Sequence, residues 1–161
     1  MNNLEKIIAF LTEIGIEVNK TALEAPCFLP GIHISEGCIN YDPSKLAYPG
    51  DLLHEAGHIA VTAPEIRALI GTDNMPEAWP SDGDEIAAIV WSFAAQQHLE
   101  IPLDVLFHDN GYKNEAAWLR EEFSNQNYIG LPLLEWMGLC VSSINAQEGQ
   151  PHFPKMIKWL R

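Results

Sequence analysis

His54 and His58 stand four residues apart, with Glu55 between them, in Asp51-Leu52-Leu53-His54-Glu55-Ala56-Gly57-His58-Ile59-Ala60. On a helix, residues four apart lie one turn apart on the same face. Both imidazoles can then reach one metal ion, and Glu55 projects beside them. Two nitrogen ligands plus a carboxylate that handles the proton of a metal-bound water are what zinc-assisted hydrolysis needs. A shuffled chain of this composition contains the same spacing about 2% of the time, so the flanks must carry weight. Tyr48-Pro49-Gly50-Asp51 reads as a turn into a helix start, with Asp51 as N-cap or first-turn anion. Leu52, Leu53, Ile59, Ala60 and Val61 are apolar, which predicts a largely buried helix. Buried imidazoles and carboxylates need partners, because an unpaired buried carboxylate is costly. A metal would satisfy all three groups; the opposing reading is ordinary histidines, exposed or bonded to backbone. Gly57 weakens a helix by about 1 kcal/mol relative to Ala, which is tolerable where another backbone segment or a ligand comes close.

Catalytic zinc takes a third protein ligand. Glu85 is the best candidate, 27 residues beyond His58 and near the start of a second helix. Ser81-Asp82-Gly83-Asp84 has the form of a capping box, Ser81 paired with Asp84. The run from Ile86 to Ala95 is nearly all apolar, so this helix should pack against the first. Glu85 is the last acid before that run. Asp82 and Asp84 suit the positive end of the helix dipole, although a shift of one residue would exchange Asp84 and Glu85. His98, His108 and Glu100 are weaker candidates; His98 lies about 20 Å along the same helix.

These residues resemble the zincin metallopeptidases, and within them the gluzincins, which carry HExxH on one helix and a glutamate ligand on the next. The resemblance covers His54, Glu55, His58 and Glu85. The wider layout looks like a loose version of the minimal ImmA/IrrE-type metallopeptidase domain: a leading helix, a short hairpin, the HExxH helix, then a helix carrying Glu. It spans roughly residues 30 to 100, and Phe93-Ala94-Ala95 echoes a small-residue segment of that family's second helix. Glu85 lies farther from Phe93 than is usual there, the asparagine that commonly follows is missing, and Ile89 stands where thermolysin-like enzymes place a carboxylate. The resemblance implies one Zn²⁺ per chain, a water activated by Glu55, and a peptide or protein substrate. Tyr112, His108 and Tyr48 are possible donors to an oxyanion, each with an ordinary packing or turn role as the alternative. A rival reading keeps the metal but not the catalysis, as a regulatory or interaction module. A ferritin-like di-metal site needs a second Glu-x-x-His, and His33, His98, His108 and His152 all lack it.

Composition bounds the rest. The 161 residues suit one domain, 1–161, with 47% apolar residues to build a core. The net charge of −13, from 22 acids against 9 bases, argues against nucleic acid, whose phosphates are bound by Lys and Arg. No apolar run approaches the length of a membrane span, and the N-terminus reads as an amphipathic helix rather than a signal peptide. Three scattered cysteines, Cys27, Cys38 and Cys140, suggest reduced thiols and a cytoplasmic setting.

Along the chain, the pattern predicts helices over Asn3–Ile14, about 50–61, Pro64–Leu69, 82 onward, after Pro102, about 114–123 and Leu131–Cys140. A hairpin is expected from 31–34 and 38–41, turning at 35–37, and loops at 20–31 and 71–81. The sum is an α+β, mostly helical, zincin-like minimal domain with a short β-hairpin before the HExxH helix.

Overall fold

Asn2 opens the first helix. Its side chain accepts from the Glu5 backbone N–H while Glu5 reaches back to the Asn2 N–H, a capping box that starts α1 (Asn3–Glu13). The computed structural model describes all residues, Met1–Arg161. After α1 come β1 (Val18–Lys20), β2 (Ile32–Ser35), β3 (Cys38–Tyr41), α2 (Asp51–Val61), α3 (Pro64–Arg67), α4 (Asp82–Leu99) and α5 (Leu103–Leu106). A 3-10 turn at Tyr112–Asn114, α6 (Ala116–Ser124) and α7 (Leu131–Trp136) complete the chain. The fold is α+β, with far more helix than strand.

The expected hairpin is present. Ile32 pairs with Tyr41 and Ser35 with Cys38, around a two-residue turn at Glu36 and Gly37. Both turn residues have positive φ, 51° and 73°, the geometry whose twist suits a tight hairpin. A third strand was not expected. Val18–Lys20 runs parallel to β3, giving the order β1-β3-β2. Three residues reading Val-Asn-Lys show too little alternation to announce a strand; the pairing is supplied by β3.

The core is built around α2 and α4. Leu52, Leu53, Ala56, Ile59, Ala60 and Val61 of α2 are buried, as are Ala87, Ala88, Val90, Trp91, Ala94 and Ala95 of α4. Gly57 lies where α2 meets the backbone of α4 at Ala88. A Cβ on Gly57 would stand 2.6 Å from the Ala88 carbonyl oxygen and 3.1 Å from its Cα. The helix-weakening glycine therefore serves packing. Gly57→Ala is expected to lower unfolding stability by about 1–3 kcal/mol through overpacking, even though Ala is the better helix former. Urea denaturation reads the effect, and an unchanged midpoint would show that the two helices separate freely.

The final segment packs back onto the body. Trp91 Nε1 donates to the Trp159 carbonyl at 2.9 Å, and the Arg161 N–H donates to Ala60 O at 2.9 Å. The α7 helix is shorter than its apolar pattern predicts, ending at Trp136 instead of Cys140. Gly138, at φ 75°, donates to Glu135 O, and Leu139 donates to Leu134 O, a left-handed stop that closes the helix. No helix is long and apolar enough to cross a membrane. Cys27, Cys38 and Cys140 are unpaired thiols.

Candidate metal centre

His54 and His58 leave α2 one turn apart, and Glu85 faces them from the first turn of α4. Glu85 Oε1 lies 3.1 Å from His54 Nε2, and Oε2 lies 2.9 Å from His58 Nε2. The two Nε2 atoms are 3.3 Å apart. Asp84 points elsewhere: its carboxylate accepts from the Ser81 N–H at 2.8 Å and from the Ser81 hydroxyl at 2.7 Å, forming the expected capping box. The one-residue ambiguity at the start of α4 is thus resolved by the cap, which takes Asp84 and leaves Glu85 to the histidines. His98 sits in the last turn of α4 against the rings of Phe10 and Trp159 and is not part of the cluster.

Do these residues fit an ion? One ligand atom from each of His54, His58 and Glu85 falls within 4.8 Å of the others. Two nitrogens bound tetrahedrally at about 2.0–2.1 Å from zinc stand about 3.3 Å apart, which is the observed Nε2 separation. Without a metal both imidazoles can donate from Nε2 to the two Glu85 oxygens; with one, the same nitrogens would turn their lone pairs to the cation. The donor set, two imidazoles and a carboxylate, suits zinc. One feature departs from usual practice. Ligating imidazoles generally donate their second nitrogen to an acceptor, but Nδ1 of His54 and of His58 are buried with no partner.

Electrostatics tie the three groups together. Burial opposes ionisation of Glu85, but the hydrogen bonds and charges of His54 and His58 outweigh it and hold the carboxyl far below the ordinary carboxylate range. Burial likewise disfavours charge on His54, yet Glu85, helped by Glu55 and Asp51, raises its pKa above 6.5. In metal-free protein the Glu85 contribution to stability is present above about pH 4.5 and is lost as pH falls through its depressed folded value. The His54 contribution is present below about pH 6.5 and is lost as pH rises through its raised folded value. Chelated protein is therefore expected to be less resistant to urea at pH 9 than at pH 6, and Glu85→Gln should shrink that difference. A chelated wild type with equal midpoints at both values would refute this coupling.

Glu55, half-buried on the same helix, takes part in none of the ion pairs. Burial pushes its carboxyl up, against the lowering charges of His54 and His58 and with those of Glu85 and Asp51. The remaining sequence candidates separate by place. Asp51 is a first-turn residue, not the cap; Gly50 occupies the cap without a side-chain bond. His108 Nε2 is 2.7 Å from Asp51 Oδ1, and both residues are buried. The Tyr48 ring stacks on His108, with centroids 3.9 Å apart and planes 10° apart. The Tyr112 ring stands edge-on to His54 with centroids 5.4 Å apart. Burial, then the charges of Asp51, Glu85 and Glu55, raise the Tyr112 phenol well above its ordinary pKa, so it stays protonated.

Sequence reasoning missed two members of this neighbourhood. Trp79, from the loop between α3 and α4, stands edge-on to His58 at 5.7 Å and donates from Nε1 to Thr62 Oγ1 at 3.3 Å. The Asp51–His108 pair joins residues 57 positions apart. No spacing rule announces either; contacts of α2 with the segments that carry Trp79 and His108 bring them together. Among known protein families, curated proteins and solved structures, none matches this chain.

Proposed function

We propose that the protein is a zinc-dependent metallopeptidase-like hydrolase, with His54, His58 and Glu85 holding one Zn²⁺ and Glu55 handling the proton. The observation that carries this reading is the convergence of the two Nε2 atoms and the Glu85 carboxylate at tetrahedral spacing, with a free carboxylate on the adjoining helix position. Bound zinc lowers the pKa of a coordinated water to about 7 and polarises a carbonyl. The chain's own residues do the rest. His54 and His58 present nitrogen lone pairs from consecutive turns of α2, and Glu85 closes the set from α4. Glu55, unpaired within the protein, accepts a proton at its carboxylate and returns it to the leaving amine. Trp79 and Tyr112 flank the two histidines, each edge-on to one imidazole. A peptide or protein substrate follows from the resemblance of His54-Glu55-x-x-His58 and Glu85 to gluzincins.

Elemental mass spectrometry on wild type, His58→Ala and Glu85→Ala tests the site. Near one zinc per wild-type chain, lost in both variants, supports it. Zinc retained in Glu85→Ala would remove Glu85 from the ligand set. No zinc in wild type after metal is added back would sink the reading.

A further inference from the structure

His58 is buried, and its Nδ1 is sealed from solvent with no partner in the chain. An imidazole turns about a bond that has no sharp torsional preference of its own. Metal-ligating imidazoles are usually fixed in that angle by a hydrogen bond from the second nitrogen. His58 makes no such bond to the protein, so the plane of its ring is left to packing.

One ring is placed to supply that packing. Trp79 lies T-shaped to His58, with centroids 5.7 Å apart and planes at 71°, an arrangement that the quadrupoles of aromatic rings favour. Trp79 belongs to the loop between α3 and α4. From Pro76 to Ser81 every other residue is exposed; Trp79 alone turns inward and packs against the core.

The hydroxyl of Thr62 holds the indole in place. Thr62 ends α2 as its C-cap and is buried. Trp79 Nε1–H donates to Thr62 Oγ1 at 3.3 Å, and Oγ1 donates to the His58 carbonyl at 2.6 Å. The contacts form a closed circuit. It leaves the backbone of His58, passes through one hydroxyl and one indole, and returns to the imidazole of the same residue. Arg67 braces the circuit, donating from Nε to Ile59 O at 3.1 Å and from Nη2 to the Thr62 carbonyl at 3.2 Å.

We infer that Trp79, anchored on Thr62, is a positioning residue that sets the plane of the His58 imidazole, and with it the direction of Nε2 at the His54–His58–Glu85 centre. This inference rests on the metal reading proposed above. It adds that a loop residue with no ligand atom governs how tightly the centre holds its ion.

Zn²⁺ affinity of the full chain, measured by competition with a chromophoric chelator, tests this. Trp79→Leu should weaken Zn²⁺ about tenfold or more, the cost of losing a group that orients a ligand. Trp79→Phe keeps a ring against the imidazole and should recover most of that loss. Thr62→Val leaves the indole but frees its N–H, and should weaken Zn²⁺ by an intermediate factor. With Co²⁺ in place of zinc, the visible bands at saturation should shift in Trp79→Leu and return in Trp79→Phe, which a loss of fold stability alone would not produce. Equal Zn²⁺ affinity in wild type and Trp79→Leu overturns the inference and leaves the metal reading standing. A loss that Trp79→Phe does not recover overturns the role of the ring. Wild-type affinity in Thr62→Val overturns the anchor. A wild type that takes up neither ion overturns the metal reading and this inference with it.

Discussion

Glu55→Gln should leave zinc uptake intact and remove hydrolysis. The amide keeps the size and the helix position of the carboxylate but accepts no proton at pH 7. General-base assistance contributes about 10²–10⁴ in rate, so a drop of that size is expected in cleavage of a diverse peptide mixture, read by mass spectrometry of the products. Glu55 is suited to this test because it makes no ion pair whose loss would disturb the fold. It is also distinct from Glu85, which is engaged by both imidazoles. Elemental analysis on the same samples separates loss of metal from loss of proton transfer. Cleavage at the wild-type rate would take Glu55 out of the mechanism. A wild type that binds zinc and cleaves nothing would favour the regulatory or interaction module.

Zinc should stabilise the wild type, and His58→Ala should abolish that response. A ligand that binds only the folded state stabilises it by about 2.7 kcal/mol at a hundred times its Kd. For a chain of this length, that corresponds to a rise in Tm of about 5–10 °C. Altering groups that merely orient a ligand costs about 10–100-fold in metal affinity, and removing a ligand should cost more. His58 is nearly buried, at 5% exposure, so its alanine variant also leaves a cavity. The informative quantity is therefore the shift on adding zinc, not the starting Tm. The shift should also increase between pH 6 and pH 8, since imidazole binds metal only when neutral. A zinc-dependent shift of equal size in wild type and His58→Ala would exclude His58 as a ligand.

Much of this site's placement was legible because it rests on local rules. The i, i+4 spacing put His54 and His58 on one face, and Ser81 with Asp84 marked a cap that left Glu85 as the next acid. The hairpin was legible because Glu36-Gly37 sits between short apolar runs. What could not be read depends on contacts between distant segments. The β1 strand exists through β3, and the grip of Asp51 on His108 exists because α5 packs onto the start of α2. At that point a Cβ on Gly50 would meet the Val105 carbonyl at 2.0 Å. The early end of α7 was misread because apolar residues continue through it to Cys140, although Gly138 carried the signal to stop.

The contact at Gly57 also bears on which ion the cluster can hold. Gly57 stands next to His58 and one turn from His54, and Ala88 stands one turn from Glu85. The backbones touch there with no Cβ on the Gly57 side to compress. The helix pair thus works as a fixed caliper whose jaws are the imidazoles and the carboxylate. Calcium, with oxygen ligands at about 2.3–2.6 Å and a need for six or more of them, would have to prise α2 from α4 along its buried seam. If the cluster holds zinc as proposed, discrimination by size would lie in the distance between two helices as well as in the choice of ligands.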